Sequence, residues 1–134
     1  MAHDLRTRHH LDRAERNREV ARALCSPAIT SILKPPPIEW AAVAAFYAGV
    51  HYVNAYLWER RRLEPADHSQ RNRWIRGLPE LRPIFGAYKM LADLAWDARY
   101  KARFLVKPSV VQGAVHNQLE RVRAQVMREL GLTP

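Results

Sequence analysis

The chain has 134 residues, of which 48% are hydrophobic and 26% are charged, a balance typical of a globular protein and not of a disordered one. This length suits one unit with its own hydrophobic core, and we predict a single domain over residues 1–134. The single cysteine, Cys25, excludes an intrachain disulfide and a multi-cysteine zinc site, whereas the formal net charge of +9 is compatible with an anionic partner.

The basic residues support two interpretations. Clustered cations displace the counterions condensed on phosphates, so the charge is compatible with nucleic-acid binding. However, 18 of the 22 basic residues are arginine, a bias that a GC-rich genome also produces without selection for binding, so a merely solvated basic surface is the alternative. Clustering favours the functional interpretation, since residues 59–82 contain seven arginines and four carboxylates. These arginines are Arg60, Arg61, Arg62, Arg71, Arg73, Arg76 and Arg82.

The N-terminal region predicts a first helix over residues 5–24, because leucine and alanine recur at helical spacing and Ser26-Pro27 then stops or redirects the chain. The same region mixes both charge signs and contains no apolar segment, so we expect no secretory signal. Together with the lone cysteine, this indicates a cytoplasmic protein.

The least polar run is WAAVAAFYAGVHYVNAYLWERRR, residues 40–62, which lies between three prolines and Pro65. Its first part approaches the ~20 residues that a membrane-spanning helix needs. It carries His51 and Asn54 near its middle, however, and takes most of its apolar character from alanine. We therefore predict no membrane span and, instead, a helix enclosed by other helices.

A short helix over residues 68–76 is predicted next, with Asp67 or Ser69 as its N-cap and Gly77 at its end. Apolar side chains then recur at three- and four-residue steps from residue 84 to residue 105, which predicts a long amphipathic helix.

The last helix is predicted to begin at Ser109 as N-cap and to end at Gly131. No alternating strand pattern of useful length occurs in the sequence. We therefore predict an all-α fold, in which short connections favour antiparallel neighbours.

Common catalytic motifs are absent from the sequence, which has no phosphate-binding glycine loop, no HExxH and no GxSxG. His9 and His10 are adjacent and therefore point about 100° apart on a helix. No carboxylate and histidine are paired at helical spacing on the predicted buried helices. We expect neither a metal site nor a cofactor.

His51 lies within the apolar helix, with Tyr47 and Asn54 on nearly the same face. A core histidine satisfied by its neighbours is one interpretation, and a pocket residue opposite the basic segment is the other. His68 begins a polar stretch in which Arg71 and Arg73 follow closely, so imidazole and guanidinium groups could reach one phosphate. The alternative is a capped surface helix in an arginine-rich protein.

The stretch AFYAGVHYVNAYLWERRRLEPADHSQRNRWI, followed by ADLAWDARYKARF, resembles small bacterial members of the HEPN superfamily over residues 39–105. The resemblance implies a four- to five-helix bundle and a homodimer whose basic clefts meet at the interface. It also implies RNA as the target, either as a metal-independent endoribonuclease of a toxin–antitoxin or phage-defence system or as an inactive binding module. An antitoxin or another protein is a further possible partner.

Active members of that superfamily carry an arginine, four to six residues, and a histidine. Arg62 and His68 fit this spacing, although Leu63 stands where a polar residue is expected. The resemblance implies attack of a ribose 2′-hydroxyl on the adjacent phosphate, with His68 transferring a proton. The other predicted catalytic residues are Arg71, Arg62 and His51, and the predicted nucleic-acid-binding residues are Arg60, Arg61, Asn72, Arg73, Arg76 and Arg99. The alternative function is a non-catalytic helical module that binds nucleic acid, a nucleotide or a partner protein.

Overall fold

The computed structural model describes residues 3–134, which form helices and connecting turns and contain no strand. The helices are α1 (Leu5–Leu24), α2 (Pro27–Thr30), α3 (Ile38–Arg61), α4 (His68–Gly77), α5 (Phe85–Tyr100), α6 (Pro108–Gly113) and α7 (Leu119–Glu129). A 3₁₀ turn, Arg82–Ile84, leads into α5, and a π-helical turn, Ala114–Gln118, joins α6 to α7. The predicted all-α helical bundle is confirmed.

Helix α3 is the centre of the bundle and packs against α1, α5 and α7. Small side chains on α3, including the fully buried Ala41, Ala45 and Ala48, allow these helices to approach closely. A Cβ added to Gly49 would lie 3.5 Å from Leu91 Cδ1 on α5. The apolar run thus forms the core, and no helix within residues 3–134 has both the length and the apolar character needed to cross a bilayer.

Hydrogen bonds around Asp67 determine where helix α4 begins. Arg62 ends α3 with a left-handed backbone (φ 51°), and the chain then turns toward Asp67. The Asp67 side chain accepts a hydrogen bond from the Gln70 amide at 2.8 Å, while Gln70 Oε1 accepts one from the Ala66 amide at 2.8 Å. This reciprocal pair fixes the start of α4 at His68. Of the two candidate caps, Asp67 and Ser69, Asp67 is the N-cap.

Two predicted boundaries are wrong. Helix α5 ends at Tyr100 and not at residue 105, because Lys101 is extended (ψ 138°) and Leu105 is 76% exposed, with no neighbouring helix to bury it. The next helix begins at Pro108 with Lys107 as its N-cap, so Ser109 lies inside its first turn. Proline suits that position because its missing N–H has no partner there in any case.

A polar network holds the N-terminal and C-terminal helices against α3. The Tyr52 hydroxyl and Arg123 Nε both donate to Glu15 Oε1, each at 2.7 Å. Arg18 Nε donates to Glu120 Oε1 at 2.5 Å, which joins α1 directly to α7. Burial, with the hydrogen bond to Glu15, raises the pKa of Tyr52, so its hydroxyl stays a neutral donor at physiological pH.

Gly131 ends α7 with a left-handed backbone (φ 74°), its amide donating to Arg128 O and the Leu132 amide to Met127 O. We expect Gly131→Ala to lower the free energy of unfolding by about 1 kcal/mol, because a Cβ is disfavoured in this conformation. Gly86→Ala is the matched control: Gly86 has no atom within 4 Å of an added Cβ and lies in the first turn of α5. There we expect unchanged or slightly higher stability in urea unfolding, and equal losses in both variants would contradict the role of Gly131.

Candidate functional site

A cleft of about 250 Å³ lies where α4 meets α3 and α5, and we name it the His68 cleft. Helix α4 contributes His68 and Asn72, which are four residues apart and therefore share one face. Its lining residues are Phe46, His68, Asn72, Lys89, Ala92, Asp93, Trp96, Arg99 and Tyr100. Cationic, amide and aromatic groups thus converge on one concave surface.

Arg71 lies behind the cleft and is only 7% exposed. Its Nε donates to Asn54 Oδ1 at 2.9 Å and its Nη1 donates to His68 Nδ1 at 2.8 Å. Within residues 3–134 it forms no ion pair with a carboxylate. A buried cation whose partners are a neutral amide and an imidazole makes its surroundings positive, which favours an anion nearby.

The Arg71 contact determines the protonation state of His68. Guanidinium has no acceptor, so His68 Nδ1 must accept the hydrogen bond and the ring proton belongs on Nε2. Burial, followed by the charges of Arg71 and Arg99, lowers the pKa of His68. At neutral pH His68 is therefore a neutral N–H donor, placed at the N-terminus of α4 where the helix dipole also favours anions.

Arg99 is the second cation of the cleft. Its Nη1 donates to the Tyr47 hydroxyl at 2.7 Å and its Nε to the Ala95 carbonyl at 3.1 Å. Three aromatic rings surround the guanidinium, with centroids 5.1 to 5.7 Å from its central carbon: Phe46, Tyr47 and Tyr100. This packing holds the group in place. Since no carboxylate among the described residues pairs with it, its remaining donor atoms can bind an anionic ligand.

His51 lies in a different place. It lines a groove between α1 and α3 together with Tyr47, Arg13 and Asn17, and not the His68 cleft. Its Nδ1 is 3.0 Å from His10 Nδ1, so one of the two nitrogens carries the shared proton. Burial, then the charges of His10, Arg13 and Arg71, lowers the pKa of His51 to about 4. Arg71 thus acts electrostatically on both His51 and His68.

The arginines that are adjacent in sequence separate in space. Arg60 donates to the Glu129 carbonyl on α7 at 3.1 Å, and Arg61 pairs with Glu80. Arg62 lies 5.1 Å above the Trp58 ring and 3.7 Å from Asp4. None of these three arginines lines the His68 cleft.

On α4, Arg76 lies 5.5 Å from the centroid of Phe85, and Arg73 is exposed. Neither side chain lines the cleft. Of the residues predicted for the site, His68, Asn72 and Arg99 therefore line the cleft, and Arg71 supports it from behind.

Several residues of the cleft were missed by sequence reasoning. Trp96 and Tyr100 are one turn apart on α5 and are 59% and 62% exposed. Lys89 forms an ion pair with Asp93 at 2.6 Å at the rim. A signal was present, because Trp96 falls off the apolar stripe of α5 and a large aromatic side chain on a polar helix face is unusual.

No protein-family model, curated protein sequence or solved structure matches this chain. Among residues 3–134, no three histidine, cysteine, aspartate or glutamate side chains form a group that could hold a metal ion. The groups that line the cleft are an imidazole, a guanidinium, an amide, aromatic faces, and a lysine paired with the Asp93 carboxylate.

The depressed pKa of His51 predicts a pH-dependent stability. The unfolded imidazole has a pKa near 6.5 and the folded one about 4, so the unfolded state takes up a proton first as the pH falls. The stability contributed by neutral His51 is complete above pH 6.5 and is lost as the pH falls towards 4. We expect the free energy of unfolding to drop between about pH 7.5 and about pH 5, by roughly 1 kcal/mol more in the wild type than in His51→Leu.

Urea unfolding at the two pH values measures this difference. His116→Leu serves as the control, because His116 is exposed on the π-helical turn. It should retain the wild-type pH dependence. An unchanged pH dependence in His51→Leu would show that other groups cause it.

Proposed function

We propose that this chain is a HEPN-like, RNA-directed helical protein and that the His68 cleft binds the RNA backbone. The observation that carries the proposal is the arrangement of Arg99 and His68 in one cleft, where neither side chain is neutralised by a described carboxylate. Phosphate oxygens accept hydrogen bonds from donors of this kind.

RNA binding gives a reason for the buried cation Arg71 to be hydrogen-bonded to a neutral imidazole. The Arg71 hydrogen bond keeps the His68 Nε2–H available as a donor, and the Arg71 charge adds to the positive potential. In the same cleft Asn72 offers an amide that can bind a ribose hydroxyl or a phosphate oxygen. Positively charged helical surfaces of this type bind nucleic acid with a strong dependence on salt.

Metal-independent RNA cleavage is the second candidate, favoured by the exposed imidazole of His68 beside Arg99. In this reaction the ribose 2′-oxygen attacks the adjacent phosphorus and the bond to the 5′-oxygen breaks, leaving a 2′,3′-cyclic phosphate and a 5′-hydroxyl. Arg99 stabilises the added negative charge, and His68 protonates the leaving oxygen from Nε2 after its Nδ1 has taken up a proton, which breaks the hydrogen bond from Arg71. Arg71 acts through His68 and does not touch the RNA.

A base must also remove the 2′-hydroxyl proton. His51 of the same chain lines the α1–α3 groove and not the His68 cleft. In this second candidate a homodimer therefore supplies the base, with His51 of a second copy facing the cleft.

RNA binding is tested with Arg99→Gln. Loss of one charge-assisted phosphate contact should weaken binding of a labelled RNA hairpin about 10- to 100-fold and reduce the slope of log K against log salt by about 1. Arg121→Gln removes the same charge from an exposed position on α7 and is the matched control. Equal weakening in the two variants, measured by fluorescence anisotropy, would mean that net charge and not the cleft binds RNA.

Cleavage is tested by incubating the same RNA with protein and a chelator and looking for ends with a cyclic phosphate. We expect His68→Ala to reduce the rate about 100-fold or more, while His116→Ala, which alters an exposed histidine elsewhere, leaves it unchanged. If the wild type binds RNA without cutting it, the cleavage candidate fails and the binding proposal stands.

A further inference from the structure

The outer wall of the His68 cleft is an exposed aromatic pair on α5. The rings of Trp96 and Tyr100 have centroids 4.4 Å apart and are tilted by 51°. Their side chains are 59% and 62% exposed, although burying such rings would be favourable. The two rings stabilise each other by contact, but their outer faces remain open to solvent, and unlike the equally exposed Trp40 they lie beside the cationic side chain of Arg99, so a ligand with a flat face can stack on them.

The surroundings of the pair indicate which flat ligand fits. Arg99 lies between the two aromatic residues in sequence, and its guanidinium is 5.1 Å from the Tyr100 centroid. His68 and Asn72 line the same cleft, and Lys89 and Asp93 form an ion pair at its rim. The surface has an aromatic part and a part with cationic and polar donors. A ligand with one planar group beside one or more anionic groups matches both parts, and a nucleotide has that composition.

Duplex RNA does not present such a group, because the faces of paired bases are covered by their stacked neighbours and its deep major groove is closed to side chains. An unpaired base exposes both faces and carries its phosphate close by. The cleft volume of about 250 Å³ also suits a single inserted group and not a helix.

We propose that the cleft contains a stacking subsite for one unpaired base of single-stranded RNA, with the base on Trp96 and Tyr100 and the adjoining phosphate on Arg99 and His68. The inference rests on the proposed RNA binding and adds the class of RNA and the residues that select it. Stacking tolerates any base, so the subsite distinguishes unpaired from paired RNA and not one sequence from another.

The test compares Trp96→Ala with Trp40→Ala. Trp40 is 60% exposed, almost the same as Trp96, but it lines the α1–α3 groove. With a labelled unstructured RNA strand, Trp96→Ala should bind about 5- to 100-fold more weakly than the wild type, and Trp40→Ala should bind as the wild type does. The duplex of the same sequence should bind the wild type more weakly than the strand and should be insensitive to Trp96→Ala.

Intrinsic fluorescence gives a second readout, which would not change on adding RNA if Trp96 had only a structural role. RNA strands should quench tryptophan emission in the wild type and in Trp40→Phe, and this quenching should be largely lost in Trp96→Phe. Circular dichroism melting of each variant shows that the fold is retained, which the exposure of both side chains favours.

The outcomes separate the two proposals. If the wild type binds neither strand nor duplex, RNA binding and the subsite both fail. If strand and duplex bind equally and Trp96→Ala changes neither, the stacking subsite is overturned while RNA binding stands. If a DNA strand of the same sequence binds more tightly than the RNA strand and still depends on Trp96, the assignment to RNA is overturned and the cleft is a DNA-base subsite.

Discussion

A row of polar residues on an otherwise apolar central helix is the constraint on which the site depends. Tyr47, His51 and Asn54 lie four and three residues apart on α3 and are each partly buried, where a hydrogen-bond partner on a neighbouring helix is favourable. Each finds one on a different helix: Arg99 on α5, His10 on α1 and Arg71 on α4. The same contacts therefore position Arg99 in the His68 cleft and Arg71 behind it.

Arg71 links the stability of the fold to the protonation of His68. Arg71 is almost fully buried, and its hydrogen bonds to Asn54 and His68 are what make that burial tolerable. The same guanidinium lowers the pKa of His68 and of His51, after the larger effect of burial. A neutral imidazole donor beside a positive potential is suited to holding an anion, and proton transfer from this site would require the imidazole to be charged first.

The contacts made by the arginines also change the interpretation of the basic segment, residues 60–82. Arg61 holds Glu80, whose pKa falls to about 2, first through the hydrogen bond from Tyr56 and then through Arg61 itself. Arg62 is shared between Trp58 and Asp4 near the start of α1. These arginines hold neighbouring helices and turns together. Arg99, far from them in sequence, lines the cleft and has no carboxylate partner among the described residues. Positive charge in a sequence window is thus a weak guide to a binding surface.

Sequence alone determined the features that depend on local periodicity and capping. The helical class, the core position of helix α3, a cap at Asp67 or Ser69 and the closeness of His68 to Arg71 all follow from spacings of a few residues. The end of α5 at Tyr100 did not follow, because the apolar pattern continues to Leu105, whereas in the structure the backbone is extended at Lys101 and Leu105 is exposed. The tertiary structure alone decided which groups share the cleft. Tyr47 and Arg99 are 52 residues apart, and packing of α3 against α5 brings them together, whereas His51 contacts His10 and lines the α1–α3 groove.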